Sequence, residues 1–287
     1  MKQITDSKQL QDVLGKLKRR RKTIGFVPTM GALHEGHLSL VRKSRKQNDI
    51  TVVSIFVNPT QFGPKEDFKK YPRPLRKDSV LLKKAEVNFI FTPTPEGMYP
   101  EGLEKKGLSP AMKAALSLTK NLCGKFRPGH FEGVMIVVEK LFRIVQPSRA
   151  YFGAKDYQQA AVIQKMNEGL PFKIKIYVEP TIREKDGLAM SSRNQYLSPE
   201  ERKRALAVSQ TLFEVRRKIL AGEKNLKKPI SEAHRKLALS VDSVQYLEIV
   251  DPETLKPLSK VQKKMVVLTA CYVGKTRLID NVIIRTS

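Results

Sequence analysis

The chain carries few cysteines, few acids and no long apolar run. Its two cysteines, Cys123 and Cys271, form no Cys-x-x-Cys pair. A disulfide framework and a cysteine-rich zinc site are therefore not expected, and a reducing cytoplasm is the default compartment. No stretch approaches the roughly 20 consecutive apolar residues that a membrane span needs. The opening MKQITDSKQL lacks the apolar core of a secretory signal. Acids are scarce beside bases: 28 Asp and Glu against 54 Lys and Arg, a formal net charge of +26. Such a charge attracts anions of every kind, from ATP to nucleic acid. Neither an RNA-stacking aromatic signature nor a zinc-finger spacing accompanies it, so a solvated basic surface is favoured over a nucleic-acid partner.

The first half alternates short β-rich runs with helical stretches. Ile24–Val27, Ile50–Val57, Phe89–Thr92, Ala150–Gly153 and Lys173–Val178 read as strands. His37–Lys46, Leu75–Ala85, Gly133–Val145 and Tyr157–Asn167 read as helices. This alternation predicts a parallel sheet covered on both faces. The last third predicts a different unit. It has a long charged helix, Pro199–Ala221, with Ser198 as its N-cap, a second helix over Ser231–Leu239, and the strands Val244–Val250, Met265–Tyr272 and Thr276–Ile284. The expected class is α/β: a Rossmann-like nucleotide-binding domain over 1–180 and a small α+β domain over 181–287. In open α/β sheets ligands bind at the carboxyl ends of the strands. The chemistry-bearing segments lie at such ends.

The first segment is PTMGALHEGH, Pro28–His37, between a strand and a helix. His34 and His37, three residues apart at a helix start, share one face. The free N–H groups there favour an anion, and Gly31 and Gly36 allow a ligand close to the backbone. The two rings suit phosphate; ordinary helix-start histidines or a zinc pair are the alternatives, the latter without a third ligand in view. The second segment is Met190–Arg193, whose hydroxyls and guanidinium suit β- and γ-phosphates or simply form a surface turn. The third, Phe152–Gln159, offers Gly153, Lys155 and Asp156 to phosphate and ribose, or is a capped turn. The fourth, Ser54–Gly63, offers Asn58 and Gln61 to a small polar acid, or is a turn built on Asn-Pro. The fifth places Arg127 and His130 in a glycine-rich loop, mobile lid or static. Cys123 reads as structural and His234 as surface.

Taken together, PTMGALHEGH, SIFVNPTQFGP-x-ED, YPR, RPGHFEGV, FGAKDYQQ, DGLAMSSRNQYLS, YLEIVD and TRLIDN resemble the pantothenate synthetase family of the HIGH-motif nucleotidyltransferase superfamily, over essentially the whole chain. The resemblance implies a homodimeric, cytoplasmic ligase that takes ATP as co-substrate, with Mg²⁺ carried on it. It would adenylate pantoate, transfer the pantoyl group to β-alanine, and release pyrophosphate and AMP. It implies His37, His34 and Lys155 as catalytic residues. The implied ATP site is Met30, Gly31, Ala32, Leu33, His34, Glu35, Gly36 and His37, then Gly153, Ala154, Lys155 and Asp156, then Ile182, and finally Met190, Ser191, Ser192 and Arg193. Gln61 and Gln159, with Asn58 beside them, would hold pantoate. Metal ligands on the protein stay unassigned. His34 and His37 are read as hydrogen-bond donors to phosphate rather than as proton donors. The segment Glu101–Lys120 departs from the family pattern and is expected to form part of a gate over pantoate. A nucleotidyltransferase that stops at an adenylylated product, and a nucleic-acid-binding protein without specificity, remain the competing readings.

Overall fold

A computed structural model of the chain describes residues 1–64, 66–103 and 107–286. Six strands, β1 (Lys2–Ile4), β2 (Ile24–Thr29), β3 (Ile50–Ile55), β4 (Phe89–Phe91), β5 (Arg149–Gly153) and β6 (Lys175–Glu179), form a parallel sheet in the order β1-β4-β3-β2-β5-β6. Parallel neighbours need crossovers, and helices supply them. α1 (Ser7–Arg19) precedes β2, α2 (Glu35–Gln47) links β2 to β3, and α3 (Leu75–Lys84) links β3 to β4. Between β4 and β5 come the short α4 (Pro95–Met98), α5 (Pro110–Ala115) and α6 (Cys123–Phe126), then the long α7 (His130–Val145). α8 (Tyr157–Glu168) joins β5 to β6.

Period-two alternation sends successive strand residues to opposite faces. Phe26, Val52, Phe91 and Ala150 pack on α1, α7 and α8. Val27, Val53, Ile90 and Tyr151 pack on α2 and α3. Both faces are covered, which is why these strands read as continuous apolar runs. α7 is buried nearly all round, from Phe131 through Val145. The remaining elements are α9 (Pro199–Leu220), α10 (Lys227–Ser240) and the antiparallel sheet β7 (Ser243–Val250), β8 (Lys264–Val273), β9 (Thr276–Arg285). Ser198 caps α9 in a reciprocal box with Glu201, as its hydroxyl and the acid three residues on require.

Five elements were not foreseen: β1, α1 and the short helices α4, α5 and α6. β1 is three residues long with only Ile4 buried. α1 buries Leu10 and Leu14 at helical spacing, a pattern diluted by the charged residues around it. α2 starts at Glu35, two residues before the expected helix, because His34 is its N-cap. The expected gate segment also behaves differently. Residues 104–106 lie outside those described. The stretch from Ser109 to Thr119 packs against α7 and α8: Ser109 Oγ donates 2.7 Å to Glu139, and Gln158 Nε2 donates to the carbonyls of Leu118 and, just beyond the segment, Asn121. None of the described residues of Glu101–Lys120 lines the central cavity.

Candidate active site

β2 and β5 pair only at Gly25↔Arg149 and Phe26↔Ala150, while β2 continues beside β3 as far as Thr29↔Ile55. Past Phe26 the central strands part. Pro28, with no N–H to give a ladder, sits in the parted section and lines the resulting cavity. The chain leaves β2 toward β3 on one side, and β5 lies on the other, so the gap is the switch point of the sheet. A cavity of about 210 Å³ occupies it.

At the end of β2 the backbone makes a left-handed turn, with φ of +83° at Gly31 and +50° at Ala32. A Cβ on Gly31 would lie 2.9 Å from Ile55, so glycine is required there for space as well as for φ. The turn is held by Asp78, which is 1% exposed and accepts from Ala32 N and Leu33 N, each at 2.8 Å. Burial pushes the Asp78 carboxyl upward despite those two bonds. The turn delivers His34 as the N-cap of α2. His34 Nδ1 accepts from Gly36 N at 3.2 Å, and His37 Nδ1 accepts from His34 N at 3.3 Å. Both Nδ1 atoms are therefore unprotonated, which leaves each neutral ring its proton on Nε2. Burial, reinforced by the charge of Lys155, lowers His34 to about 4. Burial, then His34 and Lys155, lowers His37 to about 3. The rings lie 4.1 Å apart at a tilt, both on the cavity wall. At neutral pH they are uncharged donors beside a helix N-terminus, an arrangement suited to phosphate oxygens.

The opposite end is built around Asn58 and Gln61. Asn58 is 1% exposed and its amide is fully committed. Nδ2 donates to Gln61 Oε1 and Gly133 O, both at 3.1 Å, and Oδ1 accepts from Thr60 and, at 2.7 Å, from Tyr99 OH. Asn58 thereby orients Gln61, whose Nε2 lies 3.0 Å from Met30 Sδ. Gly133 lets α7 approach this turn: a Cβ there would stand 2.3 Å from Thr60 O. His130 Nδ1 donates 2.8 Å to Gln61 O, and its Nε2 accepts from Arg127, which grips Glu66 with two bonds of 2.6 Å. Burial and the Arg127 charge lower His130 to about 3. Arg127 and His130 thus form a fixed support behind Gln61. Gln159 lines the cavity, and no hydrogen bond of its amide occurs among the described residues. Its neighbour Gln158 is buried and consumed by the backbone of residues 118–123.

The third wall joins two segments. Gly153, Lys155 and Asp156 line the cavity from the end of β5, with Lys155 Nζ 3.9 Å from Asp156. Ile182, Met190, Ser191, Ser192 and Arg193 line it from the other. Ser192 Oγ donates to Ala32 O at 3.1 Å, tying this segment to the histidine turn. Arg193 makes two bonds, 2.9 and 2.8 Å, to Asp67, and its guanidinium lies 5.6 Å from the Tyr71 ring centroid. Tyr71 itself is buried on the cavity wall.

Fifteen of the expected site residues thus share one cavity, among them His34, His37, Gln61, Lys155, Gln159 and Arg193. Gly31, Ala32, Leu33, Glu35 and Ala154 stand behind its wall: they shape the turns, and Glu35 is exposed and paired with Arg42. Sequence reasoning missed Asp78, Asp67, Tyr71 and Gly133. SIFVNPTQFGP-x-ED, YPR and RPGHFEGV stand among the blocks above, but nothing in the linear pattern shows which distant group each residue meets. Among the described residues no group of three His, Cys, Asp or Glu is arranged to hold a metal ion.

A parted parallel sheet with paired neutral imidazoles, a lysine and a serine–arginine loop at its switch point suits a phosphate-bearing ligand such as a nucleotide. Comparison with known proteins refines this class. The pantoate-beta-alanine ligase family model matches residues 2–283. Pantothenate synthetase of Sulfurihydrogenibium sp. (strain YO3AOP1) is 52% identical over 98% of this chain and 99% of its own. That of Thermotoga petrophila is 48% identical over 99% of this chain and 100% of its own. The crystal structure of pantothenate synthetase from Thermus thermophilus superposes with a TM-score of 0.87 at 43% identity, covering 98% of this chain and 99% of that one. Pantoate-beta-alanine ligase from Francisella tularensis, complexed with beta-gamma ATP and beta-alanine, superposes at 0.78 with 35% identity, covering 99% and 97%. The chain belongs to the pantoate-beta-alanine ligase family.

Proposed function

We propose that this cleft condenses pantoate with β-alanine through a pantoyl adenylate. The family's reaction is the ATP-dependent joining of these two substrates, and the route follows from the chemistry of the site. A carboxylate is a poor acyl donor because oxide is a poor leaving group. In the first step a pantoate carboxylate oxygen attacks the α-phosphorus of Mg-ATP and the bond to the β-phosphate oxygen breaks, releasing pyrophosphate. In the second, the β-alanine nitrogen attacks the pantoyl carbonyl carbon, the bond to the AMP oxygen breaks, and the amine loses a proton. Neither step asks the protein for a nucleophile. Positioning and charge stabilisation are what remain to be supplied.

The observation that carries this reading is the pair of imidazoles whose capping bonds leave only Nε2–H for the cavity. Neutral donors stabilise negative charge growing on the phosphates without needing to give up a proton. Lys155 adds a full positive charge on the same wall, and Arg193 with Ser191 and Ser192 would take the β- and γ-phosphates. Gln61, held by Asn58 and His130, and Gln159 would grip the pantoate carboxylate and hydroxyls. Mg²⁺ enters as part of the ATP substrate.

The proposal extends to two domains, 1–180 and 181–287, in keeping with a parallel sheet that ends at Glu179 and a separate antiparallel one. It also extends to a cytoplasmic homodimer without specific nucleic-acid binding. Cys123 and Cys271 are free and buried, and among the described residues no helix is long and apolar enough to cross a membrane. The test is pyrophosphate release from Mg-ATP. Release is expected with pantoate, with sustained turnover and AMP once β-alanine is added, and none with unrelated acids. A folded protein that gives no pantoate-dependent pyrophosphate refutes the reading. Light scattering at twice the chain mass supports the dimer, and a monomer refutes it.

A further inference from the structure

β9 belongs to the small antiparallel sheet, yet two adjacent residues on it reach both segments of the nucleotide wall. Asn281 Nδ2 donates 2.8 Å to Ala154 O and 2.9 Å to Lys155 O. These carbonyls belong to the 3₁₀ turn Ala154–Asp156 that carries Lys155. Asp280 grips Arg183 with bonds of 2.7 and 3.0 Å. Arg183 in turn donates to Gly187 O at 3.1 Å, inside the loop closed by Met190 N to Ile182 O. Asp280 and Asn281 are 3% and 5% exposed, and neither lines the cavity.

The residue types fit this work closely. One amide nitrogen carries two hydrogens and serves two consecutive carbonyls. A carboxylate in its place would set lone pairs against both, and an aliphatic side chain would leave both unpaired in a buried place.

We propose that Asn281 is a positioning residue for the nucleotide: it fixes the turn so that the Lys155 ammonium meets the phosphates. With Asp280, it makes the C-terminal sheet the common support of both nucleotide-binding segments. This rests on the reading of the cleft as the ATP site. It adds a function for β9, from which no cavity residue comes.

The experiment compares wild type, Asn281→Ala, Lys155→Ala and the double variant by calorimetric titration with Mg-ATP and by pyrophosphate release at varied pantoate. Loss of two neutral hydrogen bonds to the turn is expected to weaken ATP about tenfold. The KM for pantoate should stay within about twofold of wild type, because the Gln61 side of the cleft is held separately. On the Lys155→Ala background Asn281→Ala should add less than about twofold, since the group it positions is gone. A structural role alone would persist on that background at full size. Asn281→Ser, which keeps one donor, should fall between wild type and Asn281→Ala, and it carries the same comparison if the alanine variant does not fold. Unchanged ATP affinity, equal losses for ATP and pantoate, or an undiminished effect in the double variant overturns the proposal. A wild type that binds ATP but releases no pyrophosphate with pantoate refutes the ligase reading, while the ATP dissociation constants still decide the role of Asn281.

Discussion

His37 has two separable tasks, and substitution can take one away at a time. Nδ1 accepts the His34 N–H at 3.3 Å and so caps α2, while Nε2–H is left for the phosphates. In His37→Asn the amide oxygen occupies the place of Nδ1, but no atom reaches the place of Nε2. The cap survives and the donor is lost. Removing one preorganised donor to developing charge costs about 3 kcal/mol, roughly 100- to 1,000-fold in rate. Pantoate-dependent pyrophosphate release should therefore fall by about that factor while the unfolding midpoint in urea hardly moves. In His37→Gln the amide nitrogen reaches the place of Nε2, and the cap is lost. That variant should lose about 1 kcal/mol of stability and keep more of the rate than His37→Asn. Because burial holds His37 at about 3, its ring stays neutral from pH 5 to pH 9, and no limb of the adenylation pH profile in that window should belong to it. Equal rate loss in both variants, or a limb near pH 6–7 that His37→Asn abolishes, would refute the assignment of a neutral donor.

Lys155→Ala should raise the adenylation barrier by about 2–4 kcal/mol, read as single-turnover pyrophosphate release, with the fold intact; a near wild-type rate would count against it. Gln61→Ala should mainly raise the KM for pantoate and leave ATP binding alone, and unchanged pantoate kinetics would remove it from the acid site. Gly133→Ala drives a methyl into Thr60 O at 2.3 Å, so the Asn58–Gln61 turn must move. Such overpacking costs about 1–3 kcal/mol, and both stability and pantoate affinity should suffer, whereas an unaffected variant would mean that the turn yields freely. His34, His37 and His130 stand at about 4, 3 and 3 against an ordinary 6.5. The unfolded chain binds protons that the folded one refuses, so their contribution is complete above pH 6.5 and is lost as pH falls below it. By pH 5 a fully buried ring costs about 2 kcal/mol, and the two on the cavity wall cost less. Urea midpoints between pH 7.5 and pH 5 should show this slope, reduced in His130→Asn; a slope that this variant leaves unchanged would be decisive against it.

Much of the fold was legible in the linear pattern. The continuous β-branched run Ile50–Val57 marked β3 as a buried strand, and Ser198 marked the start of α9. The histidine, lysine and serine–arginine segments were legible too, since each is a short motif at a strand end. Harder to read were the residues that hold these segments in place. Asp78 lies 45 residues from the N–H of Leu33 that it caps, Asn58 lies 75 from Gly133 O, and Asn281 lies 127 from Ala154 O. Arg193 was identified as a phosphate ligand, but its two bonds to Asp67 were invisible until the fold brought residues 126 apart together.

The sequence by itself determined which residue types stand at the ends of which strands, because periodicity, caps and turns depend on neighbours along the chain. It thereby determined a parallel α/β sheet, the reactive segments and the kind of ligand they suit. Only the tertiary structure decided the protonation state of the two imidazoles, the commitment of Asn58 to Gln61 rather than to open solvent, and the dependence of the Lys155 turn on β9. A proton's place on a ring and the direction of an amide are set by whichever distant donor or acceptor the fold delivers within about 3 Å, where a hydrogen bond is either made or lost. That information exists only once the chain has closed on itself.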